Sequence, residues 1–243
     1  MLNCRDCPLH AHDVFVPFSE EDFEATQMLK VGEMQIEAGT PLLAEGARAP
    51  QLFTVREGMG LRYKSLPSGE RQVINFIFPG DFLGLQAAVM GEIQYSVEAT
   101  TDMKLCVFDR ASLWKLFRIS PERGYDLTWM AAVDEYMVAE ALTAVGQQDA
   151  TGRVAWGLLR LYNRAASVAL VRKKDGAAPL PFRQQDLADA LGLSLVHTNK
   201  TLTRLRDNGI ADWSKGWLRI LDREKIIEMA GADGAQPLNR PFM

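Results

Sequence analysis

Apolar residues follow two rhythms along this 243-residue chain. Between residues 31 and 108 they gather in short runs, 52–56, 61–66, 73–78 and 105–108, rich in β-branched side chains. Turn signals at Ala38-Gly39, Glu45-Gly46, Glu57-Gly58, Ser68-Gly69 and Pro79-Gly80-Asp81 separate them. Strands of this length, spaced about ten residues apart, predict an antiparallel roll, barrel or sandwich. Residues 84–91 break the pattern and predict a short helix. Ahead of the roll, residues 18–29 predict a helix opened by Ser19 as cap, with Asp22 three residues on.

From Ala111 the period turns helical. Residues 121–145 predict the longest helix, with Pro121 tolerated in its first turn. Leu127, Met130, Val133, Met137 and Ala141 recur every three or four residues as an apolar stripe. A stripe this long suggests helix-on-helix dimerisation; packing against the chain's own β domain is the alternative. A further helix is predicted over 149–168, with Val154, Leu158 and Leu161 in register.

Residues 182–209 read as two helices joined by a tight turn. The first, 183–191, sets Leu187, Ala188 and Leu191 on one face. Gly192 can take the positive φ that ends a helix, and Ser194 can cap the next one. On that second helix, 195–207, Leu195, Thr198, Leu202 and Leu205 fall inward. Val196, His197, Asn199, Lys200, Thr203 and Arg204 fall outward. This is the grammar of a helix–turn–helix, whose second helix enters the DNA major groove. Val196 can touch a thymine methyl, Asn199 can bind adenine and Lys200 can donate to guanine. His197 suits a base or a phosphate, and Arg204 and Arg206 suit phosphate. Ile210 to Leu221 then reads as a β-hairpin, a wing with Lys215 at its tip near phosphate. Residues 225–229 predict a closing helix. The tail from Gly231, rich in Gly, Ala and Pro, reads as loose.

Charge divides the chain along the same line. From Asp149 onward there are 15 Lys and Arg against 10 Asp and Glu, a net of +5, so the remainder carries −9 of the overall −4. Only the second part suits a polyanion. No apolar run approaches the length of a membrane span, and the start MLNCRDCPLH lacks signal-peptide order. A cytoplasmic address is therefore expected, without a disulfide framework, since there are only three cysteines.

This order of parts resembles the cAMP-receptor-protein and fumarate–nitrate-reduction (Crp/Fnr) group of bacterial transcription regulators. Pro79-Gly80-Asp81-Phe82-Leu83-Gly84 and Leu191-Gly192-Leu193-Ser194 carry the resemblance most specifically. It implies an α+β chain in four parts: a cysteine-containing segment (1–17), a β-roll sensor (18–120), a dimerisation helix (121–148) and a winged helix–turn–helix (149–243). It also implies a homodimer on an inverted-repeat DNA site, with RNA polymerase as a further partner. Cyclic-nucleotide-binding members use a Glu after the Pro-Gly-Asp motif and a later Arg-Ser pair, where this chain has Leu85 and Tyr95-Ser96. Leu85 cannot accept from a ribose hydroxyl and Tyr95 brings no charge to a phosphate, so cAMP is not expected.

The other branch of the family senses oxygen through an iron–sulfur cluster held by an N-terminal run of cysteines and one later cysteine. Cys4, Cys7 and Cys106 match three of those places, and Asp13 stands where the fourth cysteine would be. The resemblance thus implies a [4Fe–4S] cluster on Cys4, Cys7, Asp13 and Cys106, with His10 or His12 as substitute ligands. Cys4, Cys7, His10 and His12 also read as a crowded Cys₂His₂ zinc set, and Cys106, between Leu105 and Val107, also reads as a core thiol. The function expected is a DNA-binding regulator under redox control. Its alternative is the same fold gated by a small molecule in the roll pocket, with the cysteines structural or thiol-reactive. With no P-loop, dinucleotide fingerprint or Ser-His-Asp set, no enzyme is expected.

Overall fold

In a computed structural model, which describes residues 2–232 and 239–243, the chain forms two compact units. The first holds Met1–Ser65, Asn75–Tyr136 and Asn239–Met243; the second holds Leu66–Ile74 and Met137–Leu238. The elements run α1 (Glu20–Leu29), β1 (Lys30–Ile36), β2 (Pro41–Leu43), β3 (Gln51–Glu57), β4 (Gly60–Ser65), β5 (Arg71–Ile77), β6 (Phe82–Leu83), α2 (Leu85–Met90), β7 (Ser96–Ala99), β8 (Met103–Asp109), α3 (Leu113–Ile119) and α4 (Pro121–Gln147). They continue with α5 (Ala150–Ser167), β9 (Ala178–Pro179), α6 (Gln184–Leu191), α7 (Leu195–Asp207), β10 (Ala211–Ser214), β11 (Trp217–Ile220) and α8 (Arg223–Ala230).

The roll is two antiparallel sheets, ordered β1-β8-β3-β6 and β2-β7-β4-β5. Alternation sends Leu52, Phe108 and Cys106 into a core shared with Ala25 and Leu29 of α1, Leu113 and Leu116 of α3, and Leu127 of α4. The cap expected at Ser19 is a complete capping box with Asp22. Within the second unit, α5 buries Val154, Leu158 and Leu161. Its Gly157 lets α6 come close, since a Cβ there would stand 3.2 Å from Leu187 and 3.3 Å from Leu191. Asp186 of α6 is 1% exposed and accepts from Arg183 and Arg71.

Two expectations need correction. The first part of the stripe on α4 packs on the chain's own β domain, the alternative reading: Leu127 is 2% exposed inside the core of the first unit and Met130 packs against that core, while Val133, Met137 and Ala141 are half-buried. The larger apolar side chains went where burial was available within the chain. The face left outward is a neighbouring row, Ala131, Glu135, Val138 and Leu142, with Val138 47% and Leu142 70% exposed. Its spacing of four, three and four residues is that of a coiled-coil seam.

The second correction concerns the tail. Residues 233–238 lie outside the described residues, but Asn239–Met243 is docked in the first unit. Arg240 N–H donates to the Val14 carbonyl at 2.8 Å and its own carbonyl accepts from Val16 at 3.0 Å. Phe242 and Met243 are both buried. An apolar pair anchored by paired backbone groups is held, whatever the composition of the segment before it.

Candidate nucleic-acid interface and cysteine pocket

The helix pair is built as its sequence requires. α6 ends on Gly192 in the left-handed region (φ 62°, ψ 39°), and Ser194 Oγ accepts from His197 N–H at 3.2 Å to start α7. Thr198, Thr201, Leu202 and Leu205 are buried. Val196, His197, Asn199, Lys200, Thr203 and Arg204 are exposed on the opposite side. Leu195, expected inward, is exposed, because the first turn of α7 extends past the packed part of the helix. Arg204 Nη1 donates to Thr151 Oγ1 at 3.4 Å. Arg206 is also exposed, beside Asp207.

The wing follows on the same unit. β10 and β11 pair around a two-residue turn, Lys215 and Gly216, both at positive φ (49° and 74°). That is the type I′ hand, which matches the twist of a hairpin. It leaves the Lys215 ammonium at the tip. β9, a strand too short to be legible in sequence, pairs with β11. Arg172 stacks over the Trp217 ring at 3.7 Å and pairs with Asp175, leaving Lys173 and Lys174 exposed in the neighbouring turn. One exposed helix face is thus presented by a three-helix and hairpin support, with Lys173, Lys174 and Lys215 exposed on the same unit.

The first unit contains the second candidate site. Two short 3₁₀ turns, Cys4–Asp6 and Pro8–Ala11, fold the N-terminal segment over the roll, pinned by Leu9, which is 1% exposed. Cys4 N–H donates to Gln27 Oε1 of α1 at 2.9 Å. On β8, Cys106 stands opposite Glu33 of β1 and Thr54 of β3, and cross-strand partners share a face. Cys4, Cys7, His10, Thr26, Lys30, Thr54, Cys106, Phe242 and Met243 consequently line one small cavity of about 20 Å³, room for roughly one water molecule. All three cysteines are free thiols. Asp13 and His12 are not brought to this cavity; Asp13 is exposed in the turn that follows.

Charge at the cavity is arranged around Lys30, whose ammonium donates to the Leu2 carbonyl at 2.7 Å and to Glu33 at 2.8 Å. Arg56 lies 3.1 Å from the same carboxylate. The Lys30 hydrogen bond holds Glu33 down at about 2. Burial pushes the Cys4 thiol up to about 11 and raises Cys7 and Cys106, against the pull of Lys30. Burial lowers His10, whose Nε2 lies 3.0 Å from the Cys4 carbonyl oxygen. As they stand the thiols are protonated and poorly nucleophilic. Among the described residues no three His, Cys, Asp or Glu side chains are grouped at metal-holding distances. Thr26 Oγ1, buried on the same cavity, has no hydrogen-bond partner among them.

Sequence reasoning missed the tail residues here. Arg123, 2% exposed, donates to the Phe242 carbonyl and reaches Met243 Sδ at 3.3 Å. Thr54 Oγ1 donates to the Met243 carbonyl. Nothing local in Asn-Arg-Pro-Phe-Met signals such a destination.

Elsewhere in the roll, Tyr95 is buried and its hydroxyl accepts from Gly84 N–H at 3.4 Å. The Arg62 guanidinium sits 4.9 Å above the Tyr95 ring and pairs with Asp134 at 2.9 and 3.1 Å. Leu85 is turned toward the apolar core.

Comparison with known proteins agrees with this geometry. The profile described as "Cyclic nucleotide-binding domain" matches residues 33–120, and "Crp-like helix-turn-helix domain" matches residues 152–229. A "Probable transcriptional activator" of Rhizobium leguminosarum bv. viciae is 30% identical over 176 residues, covering 72% of this chain and 71% of that one. The "Nitrogen fixation regulation protein FixK" of Bradyrhizobium diazoefficiens is 27% identical over 94% of each chain. Among solved structures, FixK2 from Bradyrhizobium japonicum superposes with a TM-score of 0.74 at 26% identity, over 82% of this chain and 96% of that one.

Proposed function

Since the chain belongs to the Crp/Fnr family of DNA-binding transcription regulators, we propose that it binds an inverted-repeat site as a homodimer, under the control of chemistry at the Cys4–Cys7–Cys106 pocket. The observation that carries the second half is the convergence of three thiols, one of them about a hundred residues from the others in sequence, on one cavity. A core thiol needs no such company.

Val196, Asn199 and Lys200 are the base readers, with Ser194 and His197 at the helix start and Arg204 and Lys215 on phosphate. The seam Ala131–Glu135–Val138–Leu142 is the dimer contact, and a symmetric pair of α7 helices addresses half-sites about one helical turn apart. Output runs through RNA polymerase, in the cytoplasm where DNA is met. No helix among the described residues is long and apolar enough to cross a membrane.

The residue types suit an iron–sulfur cluster, although the cavity of about 20 Å³ has no room for one as it stands and would have to open to admit it. Three soft thiols lie beside the buried Lys30 ammonium, which offsets anionic charge, and the Thr26 hydroxyl is left without a partner. Cys4, Cys7 and Cys106 would hold it with His10 as the fourth donor, since His10 lines the cavity and Asp13 does not. When bound, such a cluster supplies an oxidant-sensitive one-electron centre. Cyclic nucleotide is disfavoured as the signal by Leu85 and Tyr95, which stand in sequence where the cyclic-nucleotide-binding members carry their ribose-holding Glu and phosphate-holding Arg; Leu85 packs on the apolar core and Tyr95 is buried.

The test is anaerobic purification with iron and acid-labile sulfide assays. We expect iron and sulfide in equal amounts and a visible band that air bleaches. Cys4→Ser, Cys7→Ser, Cys106→Ser and His10→Ala should lose the band, and Asp13→Ala should keep it. A colourless, iron-free wild type would end the cluster assignment.

A further inference from the structure

Residues Asn239–Met243 are docked in the first unit by several separate contacts. Their backbone pairs with residues 14–16. The Arg240 guanidinium bonds Asp81 at 2.9 Å and the Pro79 carbonyl at 3.2 Å, and lies 5.2 Å over the Phe15 ring. Gly80 makes room for this arrangement: at φ 84°, a Cβ there would strike Phe15 at 2.1 Å and approach Arg240 to 3.1 Å. The Phe242 ring then packs against Phe15 (4.7 Å), Phe18 (4.8 Å) and His10 (5.0 Å). Finally, Met243 completes the lining of the cavity, held by Thr54 and Arg123.

Three facts meet here. The cavity beside the thiols is about 20 Å³, far too small for anything beyond a water molecule. Two of its walls are Phe242 and Met243, which belong to no helix or strand of the roll. The remaining walls are tied into β3, β8, α1 and the N-terminal turns. Phe242 and Met243 are held in that wall by the hydrogen bonds and ring contacts named above rather than by strand pairing within the roll.

We infer that Asn239–Met243 is the gate of the cysteine pocket: seated, it denies soft electrophiles and incoming metal access to Cys4 and Cys106, and the thiols become available when it withdraws. Arg240 on Asp81 is the latch and Phe242 the stopper. The inference rests on the thiol pocket of the proposed function only for what is guarded, not for what finally binds there. It concerns positioning rather than coordination, so no ligand role for Met243 is implied.

The test is alkylation of reduced, metal-free full-length protein by N-ethylmaleimide, with each cysteine followed by peptide mass mapping. Two full-length variants, Phe242→Ala and Arg240→Ala, are compared with a chain ending at Leu238; thermal melting and DNA affinity report that each is folded. Cys4 and Cys106 should react at least tenfold faster in Phe242→Ala and in the shortened chain, with Arg240→Ala in between. Cys7, already half-exposed, should change least. Equal rates in wild type and folded Phe242→Ala would overturn the gate. So would wild-type Cys4 and Cys106 reacting as fast as in denatured protein. Should the shortened chain fail to fold, the two full-length variants decide. Unmasking in a protein that never takes up iron sinks the cluster and keeps the gate, and iron uptake with unchanged labelling does the reverse.

Discussion

Leu142→Ala separates the two readings of the long helix. Leu142 is 70% exposed and Leu127 is 2% exposed, so the first is free to meet a second copy and the second is committed to its own core. Burial is worth about 0.8 kcal/mol per methylene-sized group, and Leu→Ala removes three. Scaled by the exposed fraction, the loss is about 1.7 kcal/mol per copy and about 3 kcal/mol across a two-fold seam. The dimer dissociation constant should rise about two orders of magnitude. Sedimentation velocity over a concentration series reads this directly. Leu127→Ala is the control: it opens a core cavity worth about 2–5 kcal/mol, lowering the melting temperature of both states. A dimer unchanged within threefold by Leu142→Ala would refute the seam. So would a dimer weakened by Leu127→Ala at constant melting temperature.

Lys200→Ala should weaken operator binding by about 1–3 kcal/mol and relax a single base position, read by competition against singly substituted duplexes; uniform weakening would make Lys200 a phosphate contact. Lys215→Ala at the wing tip should lower the slope of log affinity against log salt by about one without altering sequence preference, and an unchanged slope would take the wing off the DNA. Glu33, held at about 2 from an ordinary 4.5, binds its proton less readily folded than unfolded. Its pairing with Lys30 therefore stabilises fully above about pH 4.5, and that stability is lost as pH falls toward 2. Glu33→Gln should flatten the melting temperature between those values, and a variant curve parallel to wild type would count against the pair.

What could be read beforehand was whatever local chemistry decides. Ser19 with Asp22, Gly192 followed by Ser194, and Lys215-Gly216 between apolar runs each dictate a backbone event within a few residues, and each occurs where expected. The face of α7 was legible because Thr198, Leu202 and Leu205 at helical spacing leave little choice for the rest, although Leu195 lies exposed and Thr201 is buried. The periodicity of α4 was visible too, but period says only that a face is apolar, not whose core takes it. Leu127 and Val138 look alike in sequence and differ in destination. Alternation on β8 puts Cys106 on the core side with Leu52 and Phe108, but whether Cys4 and Cys7 arrive there depends on turns anchored by Leu9 and Gln27. The docking of Asn239–Met243 was the least legible. Its partners, Val14, Asp81 and Arg123, are all more than a hundred residues away, and its own composition reads as a loose end.

Selection from a random pool of duplex DNA puts the DNA half of this account to its most direct test. The purified protein should enrich an inverted repeat with half-sites about one helical turn apart. A Val196→Ala, Asn199→Ala, Lys200→Ala triple variant, still folded, should enrich nothing. Enrichment of the same sequence by the triple variant, or of no sequence by wild type, would contradict it.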